Sequence, residues 1–190
     1  MPLIIETVVT TWDGEGAAHI APLGLIEEGE HWVIAPFAPS RTLDNLRAHP
    51  FACASHIDDV RVIAGCVTGR RAWRLVAADE IAGSRLADAV SHWELAVERV
   101  IEDAQRPRFV CRRVLARSHA PWGGYNRAQA AVIELAVLTT RLHMLPKEKI
   151  EAELAYLEIA ISKTAGPREL EAWGWLMERI AQWRRGTGPR

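Results

Sequence analysis

An antiparallel β unit followed by a helical extension is the fold class this sequence predicts, and three observations lead to it. From Leu3 to about Arg117, apolar residues fall in short β-branched or alternating runs divided by turn residues. From Asn126 onward their spacing becomes helical. Charge divides in a similar way: residues 1–100 carry 8 basic and 14 acidic groups, residues 101–190 carry 15 and 10. Two structural units, 1–125 and 126–190, are therefore expected.

Leu3–Trp12, rich in Ile, Val and Thr, opens as a strand. Asp13-Gly14 with Gly16 supplies a turn, and Ala18–Ile26 and His31–Phe37 continue an antiparallel meander. A short helix follows at Thr42–Ala48, capped by Ser40 or Thr42 and stopped by Pro50. Phe51–His56 and Val60–Thr68 read as further strands. Arg85–Val90 fits a helix, whereas Trp93, Leu95 and Val97 alternate as in a strand, ahead of another at Phe109–Ala116.

Arg127–Leu145 is apolar almost all round, the mark of a helix buried on most sides. Pro146 suits the first turn of a new helix, along which Ile150, Leu154, Leu157 and Ile161 recur at helical spacing. Ala165-Gly166-Pro167 makes a turn, and Leu170, Trp173, Met177 and Ile180 form the stripe of a last helix. These two helices should form an antiparallel hairpin. A pair this short is marginal alone, so it should dock on the long helix or on a second subunit.

With 49% apolar and 25% charged residues, the 190-residue chain can bury a sizeable core. Its formal charge of −1 offers no global basic field for nucleic acid or anionic membrane. Cys53, Cys66 and Cys111 form no CxxC pair, so neither a disulfide framework nor a metal site is expected. The start lacks a basic region and meets Glu6 before any signal-length apolar run. A cytoplasmic protein is the natural reading.

The stretch Pro39 to Arg47 gathers two hydroxyls, an arginine and an amide where a helix begins after a strand. Free N–H groups and the helix dipole favour an anion there, and Arg41 adds charged donors. An ordinary capped surface helix leaves the same trace. In His19-Ile20-Ala21-Pro22-Leu23-Gly24, proline removes a ladder donor and glycine opens the surface, so the strand is irregular, lies at an edge, or bulges at a barrel corner. His19 is either a proton donor or a polar residue on the solvent face.

Together, Glu6-Thr7-Val8-Val9-Thr10-Thr11, His19 to Gly24, Ser40 to Leu46, Asp58-Asp59 and Asn126-Arg127 through Glu134 to Leu142 carry a family resemblance over about the first 145 residues. The chain resembles the FMN-binding split-barrel proteins catalogued as domain of unknown function 447, which are similar to flavin reductases and pyridoxamine-phosphate oxidases. The resemblance implies an antiparallel split β-barrel with a C-terminal helical extension, and a homodimer holding FMN between subunits. By position, Ser40, Arg41, Thr42 and Asn45 would hold the phosphate, and His19, Ile20, Ala21, Pro22, Leu23 and Gly24 would pass beside the ring. Related sequences often carry Asn at His19 and Met at Leu23, so no catalytic role is placed on these two. Asp59 matches the segment after the fourth strand, as a cofactor contact or a turn residue. Relatives linked to tetrahydromethanopterin extend the expectation to one-carbon metabolism.

Two further features surround that site. Trp122-Gly123-Gly124-Tyr125 is an aromatic loop able to cover a planar ligand or to serve as a linker. Arg127, Glu134 and Arg141 recur every seven residues near one helix face, which predicts a line of ion pairs, with a flavin contact by Arg127 as the alternative. The arginines between 106 and 117 divide between two strand faces, and the eight tryptophans are scattered. A nucleic-acid groove is not expected. The function expected is therefore that of an FMN-dependent redox protein, or of a flavin- or pterin-binding accessory protein without turnover.

Overall fold

The computed structural model describes residues 2–13 and 15–186, so Gly14 of the expected first turn lies outside the described residues. The chain divides into two compact units, Met1–Ile57 with Trp73–Trp122, and Asp58–Ala72 with Gly123–Arg190.

The first unit contains β1 (Ile4–Trp12), β2 (Ala18–Glu28), β3 (His31–Ile34), α1 (Arg41–Ala48), β4 (Phe51–His56), β5 (Leu75–Ala77), β6 (Ser84–Leu86), β7 (Ser91–Ile101) and β8 (Arg108–Ser118). Six of these strands close an antiparallel barrel in the order β1-β2-β3-β8-β7-β4. Alternate residues point inward. Val9, Leu25, Ile34, Leu95 and Phe109 fill the interior, and Leu43 and Leu46 of α1 join the same core. The β5–β6 pair packs outside, on β1 and β4. Arg85–Val90 is thus a short strand and a turn rather than a helix.

β2 is regular where irregularity was one expectation. It pairs with β1 residue for residue from Ala18 to Ile26, but with β3 only over Leu25–Glu28. No described barrel strand pairs with the outer side of Ala18–Gly24, so this half is an edge. Pro22 is tolerated there because an edge position need not supply a ladder donor. Gly24 is required by close approach: a Cβ on it would lie 2.6 Å from Cγ2 of Ile4.

The second unit is helical, with α2 (Arg61–Val67), α3 (Arg127–Thr140), α4 (Lys147–Thr164) and α5 (Pro167–Arg184). The strand expected at Val60–Thr68 is therefore a helix. Its apolar run buries five successive residues, Val62 to Cys66, and a continuous apolar run has no period that separates strand from helix. The Asp59 carboxylate accepts the Arg61 N–H at the start of this helix, and α2 packs against α3 and α5.

α3 lies at the centre of this unit, in contact with α2, α4 and α5. It starts at Asn126, whose Oδ1 accepts the N–H groups of Ala128 and Gln129. It ends at Thr140 rather than Leu145, with the Thr139 and Thr140 hydroxyls donating to the carbonyls of Leu135 and Val137. Ala128, Ala131, Val132, Leu135, Ala136 and Leu138 are buried. Arg127, Glu134 and Arg141 are exposed, and no ion pair joins them among the described residues. The expected line of ion pairs is thus absent from the described residues: seven residues span about 10 Å of helix, and charges that remain in water need no partner. α4 and α5 run antiparallel, with Arg184 of α5 bonded to Glu151 of α4, and both rest on α3.

Candidate functional site

The end of β1, the start of β2 and the start of α1 meet in the first unit. Thr11 links them. It stands opposite His19 in the β1–β2 ladder, and its Oγ1 accepts a 3.0 Å hydrogen bond from Nδ2 of Asn45. The two stretches singled out in the sequence therefore share one corner of the barrel. Thr11 was legible only as a β-former, because the bond to Asn45 crosses 34 residues.

At this corner Ser40 caps α1, its Oγ accepting the Leu43 N–H at 3.3 Å. Arg41, the first helical residue, is exposed and lies 3.7 Å from Oδ2 of Asp13. The Asp13 carboxyl is held below the usual carboxylate range, chiefly by the Ala17 N–H, with help from Arg41. Thr42 and Asn45 point inward and are buried. Helix N–H groups, the Ser40 hydroxyl and the Arg41 guanidinium form an anion-accepting donor set. The Ala18–Gly24 edge beside it presents backbone groups along the flank of the barrel.

The other expected contacts lie elsewhere in the chain. Trp122, the last residue of the first unit, is exposed. Arg127 is exposed at the start of α3. Asp59, in the second unit, holds the Arg61 guanidinium at 2.6–3.1 Å. Burial would raise its pKa, but bonds from Arg61 outweigh burial and hold the carboxyl low. A cleft of about 520 Å³ runs along the Leu43–Arg47 face of α1, beside Glu102 and Pro107.

A second polar cluster gave no signal in the sequence. Glu94 and His92 on β7 are fully buried, and Asp79 lies within ion-pair distance of His92. The Glu94 carboxylate accepts the N–H groups of Asp79, Glu80 and Ile81 at 2.6–2.9 Å, and His92 Nε2 lies 3.0 Å away. His92 Nδ1 meets Nε2 of the exposed His119 at 2.9 Å. Ligand-type atoms of Asp79, His92 and Glu94 lie close enough to one another to suggest a cation site. The hydrogen bonding favours a different role: Glu94 is already saturated by donors, and Asp79 pairs with Arg117. The cluster clamps the loop between β5 and β6 onto the barrel. Burial would raise the Glu94 pKa, but the three N–H groups and His92 outweigh it and hold the carboxyl low.

The cysteines carry no reactive thiolate. Burial pushes Cys53 and Cys111 up to about 12 and Cys66 up to about 11. No described helix is long and apolar enough to cross a membrane.

Among solved structures, an FMN-bound DUF447 protein from Methanosarcina mazei superposes with a TM-score of 0.79 at 20% identity, over 93% of this chain and 94% of that one. The 2-nitrobenzoate 2-nitroreductase of Pseudomonas fluorescens matches with a TM-score of 0.52 at 21% identity, over 62% and 64%. A flavoredoxin from Methanosarcina acetivorans matches at 0.51 and 12%, over 61% and 69%. These likenesses establish the fold as the split barrel of FMN-binding proteins, with C-terminal helices. No curated protein matches the sequence significantly. Residues 5–120 match the N-terminal domain of the protein family of unknown function DUF447 and residues 126–178 match its following domain, so the chain belongs to that family.

Proposed function

We propose that this protein is an FMN-binding flavoprotein with a redox role. The observation that carries the reading is the corner joined by Thr11, which sets an anion-accepting helix start beside the half of β2 that β3 does not pair. The FMN-bound structure in the same family supports the choice of ligand. Ser40, Arg41 and the first N–H groups of α1 would hold the phosphate. The backbone of His19 to Gly24 would line the ring, where N–H groups can stabilise negative charge on it. Thr42 and Asn45 shape the helix start from the buried side. Trp122 and Arg127 are the further contacts that the family resemblance assigns, while Asp59 serves first to start α2. Bound FMN would supply hydride or electron transfer, so the protein needs to provide only binding, orientation and electrostatics.

The absorption spectrum of the purified protein tests this directly. A flavin band, or its appearance on adding FMN, supports the reading; a colourless protein that takes up no FMN overturns it. Following bound flavin on addition of NADH or NADPH then separates two roles. Rapid reduction identifies an oxidoreductase, and bound but unreduced FMN identifies an accessory protein.

The proposal extends in three finer respects: a cytoplasmic homodimer with FMN between subunits, supported by the cysteine pattern and the family resemblance; a flavin-binding domain at 1–125 with its extension at 126–190, supported by the change of residue spacing at Asn126; and a link to tetrahydromethanopterin-dependent one-carbon metabolism, supported by the resemblance alone. Sedimentation with and without FMN tests the first. Flavin uptake by a fragment ending at residue 125 tests the second. Oxidation of the bound reduced flavin by methylene-tetrahydromethanopterin or a related pterin tests the third.

A further inference from the structure

We propose that α4 carries a self-complementary seam through which two copies of this chain pair antiparallel. Ile150, Leu154 and Ile161 turn one side of α4 into the protein, and the helix rests on α3. The opposite side leaves Glu148, Ala152, Ala155, Tyr156, Ile159 and Lys163 exposed. Tyr156 is 75% and Ile159 48% accessible, so two large apolar groups stand in water between two alanines and two opposite charges. Glu148 and Lys163 join no ion pair among the described residues, whereas Lys149 and Glu151, on the same helix, do.

The order of these residues specifies the occupant. A two-fold axis between Ala155 and Tyr156 sets Ala155 of one copy against Tyr156 of the other. The same axis sets Ala152 against Ile159, and Glu148 against Lys163. Every large group meets a small one and every acid meets a base, each pair occurring twice, along a seam of about 22 Å. Alanines let the helix backbones approach while Tyr156 and Ile159 cover them. A parallel pairing would instead place Glu148 beside Glu148 and Lys163 beside Lys163. The charges at the two ends therefore select the antiparallel register as well as the partner. This seam is independent of flavin binding.

Four variants test it on the full chain, with far-UV circular dichroism as the check that each folds. A cysteine at Ala155→Cys should be captured between copies by a short bismaleimide, and one at Glu158→Cys, exposed but off the seam, should not. The three native cysteines are buried and stay silent. Equal capture of both, or of neither, overturns the seam. Lys163→Glu brings like charges together at both ends and should raise the dissociation constant of this association about tenfold at low salt, with the difference shrinking as salt rises. The double variant Glu148→Lys with Lys163→Glu reverses both charges and should restore wild-type association. A double variant as weak as Lys163→Glu alone overturns the antiparallel register.

Discussion

Two polar regions of the barrel unit differ in one respect that separates structure from function. The Glu94 cluster beneath the β5–β6 loop is buried and saturated: one carboxylate takes three backbone N–H groups and meets an imidazole. The Ser40–Arg41 corner lies at the β2 edge, with an exposed guanidinium beside a strand half that β3 does not pair. Buried polar groups must find partners within the protein, and once they have done so they hold the fold together. Groups left at the surface beside a helix start remain available to a ligand. The richer cluster of ionisable groups is thus the clamp, and the sparser corner is the site proposed for the flavin phosphate.

The sharpest way to break this contrast is Glu94→Ala. It strands three N–H donors, and it should cost about 3 kcal/mol or more in urea unfolding while leaving FMN affinity unchanged. A large loss of affinity in a folded variant would join the two regions. The same carboxyl fixes a pH dependence. Because its folded pKa lies below the unfolded value of about 4.3, its stabilisation is complete above that value and is lost as pH falls through the folded pKa. Urea midpoints below pH 5 should therefore fall less steeply in Glu94→Gln than in the wild type, once the lower starting stability is allowed for.

Arg41→Ala should do the reverse. Loss of a charge-assisted phosphate contact should weaken FMN about tenfold or more, at unchanged stability. Riboflavin, which lacks the phosphate, should bind equally to both proteins, and an equal loss for riboflavin would remove the phosphate assignment. Asn45→Ala tests the buried side of the same corner. It leaves Oγ1 of Thr11 without its donor and should cost about 1 kcal/mol of stability, with a smaller change in FMN affinity than Arg41→Ala. Pro22→Ala should have the smallest effect, within about 0.5 kcal/mol, because the edge asks for no ladder hydrogen bond on its open side. A larger change would mean that this half of β2 is held by something beyond its pairing with β1.

What could be read from the chain follows the range of the interactions. The barrel strands and α1 were legible because alternation and a serine cap are local signals. The run at Val60–Thr68 was not, since a short continuous apolar stretch is buried alike as strand or helix. Glu94 was hidden for a different reason. Alternation with Trp93, Leu95 and Val97 places it outside the barrel, where a carboxylate is ordinary, and only the loop from Asp79 to Ile81 makes that position an interior. Glu134 was read in the opposite sense: an apolar helix suggested a buried charge, yet α3 leaves this one side uncovered.

The sequence by itself determined the change to helical spacing from Asn126, the start of α1 with its Ser40-Arg41 pair, and the membership in a flavin-binding fold family. These depend on period, caps and motif order, which neighbouring residues express without help. Tertiary structure alone decided that Thr11 joins His19 to Asn45, that β2 is an edge at Ala18–Gly24, and that Glu94 serves as a clamp. Each of those depends on which distant segment covers a given face, and residue spacing carries no record of that.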